Sequence, residues 1–98
     1  VIGAPRPRAP REHHEPDETD RLLGELVAHM ARGIVDNPDD VRVETLEAGE
    51  DASFELAVHQ SDLGHVIGKQ GRTARSLRLA LGAAAARKGR SASLEIAD

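Results

Sequence analysis

Cysteine is absent, which excludes a disulfide framework, thiol catalysis and cysteine-based zinc sites. The absence fits a reducing cytoplasm. Aromatic residues are nearly absent as well: Phe54 stands alone, with no Trp and no Tyr. Single-strand binders of the RRM and OB kinds stack bases on exposed aromatic rings, and this chain has no such platform. Long apolar runs are missing too. Nothing approaches the roughly 20 apolar residues of a membrane span, and no signal-peptide pattern stands at the start. Val1 in place of a methionine reads as the mark of a processed or trimmed chain.

What remains is 98 residues, the size of one domain, with 39% hydrophobic residues, enough for one small core. The net charge of −4 argues against a general polyanion binder, but the charge is unevenly placed. Residues 1–20 carry three arginines against five acids, and residues 21–62 three against ten. Residues 63–98 reverse the balance, with seven Lys or Arg against two acids.

Residues 1–18 hold four of the five prolines and no apolar periodicity, the composition of a disordered tail. His13 and His14 lack the further ligands a metal needs. Leu22, Leu23, Leu26, Val27, Met30, Ile34 and Val35 recur at three- and four-residue spacing and predict a helix over 20–35. Thr19 or Asp20 is its expected cap, and Asn37-Pro38 its stop. Val41, Val43 and Thr45 alternate with Arg42 and Glu44, which predicts a half-buried strand over 41–47. A loop over 48–52 leads to a second strand over 53–59, with Phe54, Leu56 and Val58 inward, as an antiparallel hairpin. Ser61 or Asp62 is placed to cap a short helix with Leu63, Val66 and Ile67. A longer helix over 72–87 buries Ala74, Leu77, Leu81, Ala84 and Ala85 and turns Arg72, Arg75 and Arg78 outward. Leu94 and Ile96 mark a last strand. The order is α-β-β-α-α-β, an α+β fold. Its two-helix crossover allows a three-stranded mixed sheet with helices on one face and water on the other.

Between the last two helices lies Gly64-His65-Val66-Ile67-Gly68-Lys69-Gln70-Gly71-Arg72-Thr73. A Gly-x-x-Gly turn has no Cβ to keep another backbone away. The N–H groups at the following helix start favour an anion, and Lys69 adds a mobile positive charge. This is a device for holding a phosphate backbone. It is not a nucleotide-binding P-loop, because only three residues separate Gly64 from Gly68 where that loop has four, and Gln70 stands where Ser or Thr would hold magnesium. Catalysis has no support: His59 and His65 are unaccompanied, and no carboxylate pair sits in an apolar setting. The sequence implies no cofactor and no metal.

Val66-Ile67-Gly68-Lys69-Gln70-Gly71-Arg72 resembles the signature of the KH domain, and the element order is that of its type II form. The resemblance runs from about Leu22 to Ile96. It is nearest to the small stand-alone bacterial KH proteins of the KhpA type, through Val35-Asp36-Asn37-Pro38-Asp39, the segment Gly64 to Ala74, and Leu94-Glu95-Ile96. The resemblance implies a groove for about four unpaired nucleotides of RNA, clamped by Gly68, Lys69, Gln70 and Gly71. Ile67 would be its apolar wall, Gly64 is counted with the RNA-binding residues, and Arg72 and Arg75 would add charge. One departure is Ala74, where many KH domains carry isoleucine; it makes the groove shallower or serves helix packing. The resemblance further implies a cytoplasmic post-transcriptional regulator or RNA chaperone, not an enzyme, that pairs with itself or with a second KH protein. The alternative is an interaction module whose KH fold mainly mediates that dimerisation.

Overall fold

The computed structural model describes residues 15–98. The tail reading for residues 1–14, with His13 and His14, lies outside the described residues. Helix α1 (Glu18–Arg32) leads into a single 3₁₀ turn over Pro38–Asp40 and then strands β1 (Arg42–Glu47) and β2 (Asp51–Ala57). A second 3₁₀ turn, Gln60–Asp62, precedes the short helix α2 (Leu63–Ile67). The Lys69–Gly71 turn joins it to α3 (Arg72–Arg87), and β3 (Ser91–Ile96) closes the fold. The sheet order is β1-β2-β3, with β1 antiparallel and β3 parallel to β2. This is the expected α+β architecture with a mixed sheet. Among the described residues no helix is long and apolar enough to cross a membrane.

Three element ends differ from expectation for reasons visible in the hydrogen bonds and the strand register. The cap of α1 is Asp17, not Thr19 or Asp20: Asp17 accepts from the Asp20 N–H while Asp20 accepts from the Asp17 N–H, each at 3.0 Å. This reciprocal box satisfies two donors that a helix start leaves open. Asp20 is fully buried and also accepts from the Gly49 N–H and from Arg90 Nη1. It therefore ties the start of α1 to the hairpin loop and to the chain before β3. The far end of α1 stops at Gly33, short of the Asn37-Pro38 stop, because Asp36 and Asn37 turn away to bind Asp62. Strand β2 starts at Asp51 because its parallel partner begins opposite it, at Ser91.

The core lies between the sheet and the helices. Two rows of the sheet face it, Val43–Leu56–Ile96 and Thr45–Phe54–Leu94. Phe54 and Leu56 are fully buried at its centre, each burial contributing about 1.5–3 kcal/mol. Leu23, Val27 and Ala31 of α1 and Leu77, Leu81 and Ala85 of α3 cover them. The stripe of α1 is rotated from its expected position: Leu22 faces solvent, Ala28 and Ala31 are buried instead, and Ile34 is exposed beyond the helix end. A bulge at Leu46 breaks the β1 register after Thr45 and leaves Leu46 exposed. On the open face of the sheet, Glu44, Glu55 and Glu95 stand in one row across all three strands.

Candidate nucleic-acid interface

The segment from Gly64 to Arg78 is built around two glycines with different reasons for being glycine. Gly68 ends α2 at φ 78°, ψ 167°, a conformation open essentially to glycine alone. A Cβ there would fall 2.7 Å from both the N and Cβ of Thr73, and nearer still to its Oγ1. Gly68 is thus fixed by the chain itself. Gly71 is left-handed, at φ 74°, ψ 14°, and a Cβ added to it would meet nothing within 4 Å. Its bare backbone faces open space. Between them Gln70 is the one non-glycine residue with positive φ among the described residues, at 57°, strained by about 1–2 kcal/mol.

The amides do less than the motif suggests. The Gly71 N–H donates to the Gly68 carbonyl at 3.0 Å, and the Arg72 N–H to the Lys69 carbonyl. Both are spent on closing the turn rather than facing outward. Charge is the stronger feature. Among the described residues, Lys69, Arg72, Arg75 and Arg78 have no acidic partner. Lys69 and Gln70 are exposed at the tip, and Arg72 and Arg75 on the first turn of α3. Gly64, on α2, has nothing within 4 Å of its missing side chain, and Ile67 is 39% exposed beside it while Val66 is fully buried. The turn therefore joins a bare, apolar α2 surface to an unneutralised basic α3 surface.

Asp62 fixes this unit to the rest of the fold. Neither it nor Ser61 caps α2 by a side-chain hydrogen bond. The buried carboxylate of Asp62 accepts from the Asp36 N–H, the Asn37 N–H and Asn37 Nδ2, each at 3.0 Å. Burial pushes its carboxyl up, and these hydrogen bonds with the charge of His65 outweigh that, leaving it below the usual range. His65 Nε2 lies 3.5 Å from Asp36 Oδ2 and 3.9 Å from Asp62 Oδ1. Asp36, Asp62 and His65 are the trio of possible metal ligands among the described residues. The Asp62 oxygens are already engaged by three N–H donors, so the trio acts as a staple between loop and helix. His59 is likewise spent locally, its Nδ1 accepting from the Ser61 N–H at 3.1 Å.

This frame, from α1 through the turn to β3, is shared. Residues 24–96 match the family model described as the KH domain of KhpA/KhpB. The chain belongs to that KH-domain family. Over 73 residues it is 51% identical to the RNA-binding protein KhpA of Halalkalibacterium halodurans, covering 74% of this chain and 96% of that protein. The RNA-binding protein KhpA of Bacillus subtilis is 44% identical over 80 residues, 82% of this chain and 99% of the relative. Among solved structures, Era of Aquifex aeolicus superposes with a TM-score of 0.52 at 22% identity, covering 76% of this chain. This chain spans 29% of that Era chain, and the likeness is one of fold alone.

Within this KhpA/KhpB-type frame, Ala74 is 4% exposed, which makes it a packing residue and not a groove wall. Arg78 was expected only as an outward-facing residue of α3 and not as part of the site. Its Nε donates to the Leu94 carbonyl of β3 at 3.0 Å, and no local pattern signals a contact between residues 16 positions apart.

Proposed function

We propose that this chain binds single-stranded RNA, with about four unpaired nucleotides lying along the α2–turn–α3 surface. Gly68, Lys69, Gln70 and Gly71 clamp the backbone, Gly64 and Ile67 offer an apolar wall, and Arg72 and Arg75 neutralise phosphate. The observation that carries the reading is Gly71: a positive-φ glycine open on its outer side, set among basic side chains that no acid among the described residues offsets. The relatives named RNA-binding proteins support the same reading. The role is that of a binding protein, a post-transcriptional regulator or RNA chaperone working in the cytoplasm, and not an enzyme.

Replacing Lys69 and Gln70 together with Asp tests the clamp. Aspartate tolerates the left-handed backbone at Gln70 better than most residues, and neither side chain is buried, so the fold survives. Fluorescence anisotropy with a short single-stranded RNA is expected to show binding lost, while circular dichroism and melting stay as in the unsubstituted chain. With two or three phosphates neutralised, log affinity falls with log salt at a slope of roughly −1.5 to −2. Duplex RNA binds more weakly than single strands.

A second reading rests on the outer face of α3, where Leu79 is 68% exposed beside the exposed Ala80, Ala83 and Ala86. That face suits pairing with a second copy or a second KH chain, which raises RNA affinity by joining two weak grooves. If the folded double-Asp protein binds RNA unchanged, the clamp is not the site and the interaction-module reading replaces it.

A further inference from the structure

Gly71, Arg75, Arg78 and Gly82 follow one another at i, i+4, i+7 and i+11 and so share one flank of α3. That flank runs from the clamp along β3, the outermost strand on its side of the sheet. Successive residues of a strand direct their backbone groups alternately to either side. Ser91 and Ala97 donate their N–H groups toward the β2 side, to Glu50 and Leu56, so Leu94 addresses the free edge. Its outward carbonyl takes the Arg78 Nε. Arg78 therefore crosses the furrow between α3 and β3, about 10 Å from Gly71 along the helix, within the span of a four-nucleotide segment.

The Leu94 bond does more than anchor the side chain. With Nε held, the planar guanidinium is fixed in orientation, and among the described residues Nη1 and Nη2 have no acceptor. Arginine offers donors only, in a rigid fork. The fork is satisfied by two adjacent acceptors on one edge of a base. Guanine has such a pair in O6 and N7, and cytosine in O2 and N3. Uracil places an N–H between its two carbonyls, and adenine alternates donor with acceptor.

We propose, resting on the RNA-binding reading above, that Arg78 is a specificity-determining residue that selects cytosine or guanine over uracil and adenine at one position of the bound strand.

The test measures affinity for the tetranucleotides C4, G4, U4 and A4, with the protein unsubstituted, as Arg78→Lys and as the Lys69→Asp/Gln70→Asp variant. The unsubstituted protein is expected to favour C4 or G4 over U4 and A4 by about tenfold or more. Arg78→Lys keeps the charge and loses the fork, so the preference shrinks to within about twofold while U4 affinity is little changed. The double-Asp variant loses all four. If Arg78 only staples α3 to β3, Arg78→Lys lowers the melting temperature and weakens all four ligands in parallel with the preference intact. That result overturns the inference and leaves the clamp standing. A protein without base preference also overturns it, and one that binds none of the four sinks the clamp reading as well.

Discussion

Gly68 and Gly71 are indistinguishable in the sequence and unlike in the fold. Alanine at Gly68 meets the Thr73 backbone and an unfavourable φ together. We expect a loss of at least about 3 kcal/mol, seen in urea denaturation. Alanine at Gly71 meets only the left-handed backbone, and the expected loss is about 1–2 kcal/mol. The folded Gly71→Ala protein should nevertheless lose RNA affinity, because its methyl group occupies the open side of the turn. Equal destabilisation by the two substitutions would contradict this division of labour. The motif made the turn legible, but Thr73 lying against Gly68 is a three-dimensional fact. Arg78 was hidden for the same reason: its spacing marked it only as one of three arginines on an exposed face.

At the level of elements, all six were legible from periodicity, and α3 was placed to the residue over 72–87, but the ends of α1 and the start of β2 were not. The apolar repeat of α1 is strong, yet its cap depends on Asp20, whose partners Gly49 and Arg90 lie 29 and 70 residues away. Arg90 Nη1 and Nη2 also donate to the two Asp17 carboxylate oxygens, and this contact has a pH consequence. The hydrogen bond from Arg90, helped by the Asp20 N–H, holds the Asp17 carboxyl far below the usual carboxylate range, and Asp62 is also held below it. An unfolded aspartate takes its proton near pH 4. Below that pH the unfolded state binds protons that these native carboxylates refuse, so stability is full above about pH 4 and falls with further acidification. Arg90→Ala should lower the urea midpoint at pH 7 and flatten its decline between about pH 4 and pH 2. An unchanged acid profile in that variant would mean that the Arg90 clasp contributes nothing to acid sensitivity.

For the molecule as a whole, the net negative charge concealed a two-sided protein. The sequence showed that basic residues gather after position 62. The matching row of Glu44, Glu55 and Glu95 became visible only with the sheet register. Like charges directly opposite one another on neighbouring strands weaken a sheet. Glu55 is the middle member, and Glu55→Gln is expected to raise stability by about 0.2–1 kcal/mol in thermal or urea unfolding. RNA affinity at moderate salt should stay close to that of the unsubstituted protein, since the open sheet face lies away from the furrow. Lower stability in this variant would show that the row has a favourable role. The acidic face also repels a polyanion, so an approaching strand is steered to the α3 side.

The parallel pairing of β2 with β3 also sets when the protein becomes itself. Asp51 and Ser91 lie 40 positions apart, whereas the hairpin partners are close neighbours, and distant pairings form last. On a ribosome, α1, the hairpin and the whole turn emerge before β3 exists. Until it docks, Phe54 lacks Leu94 as its neighbour, Asp20 lacks Arg90, and Arg78 has no carbonyl to hold. The competent surface is completed by the closing strand, so a nascent chain carries the motif before it carries the shape.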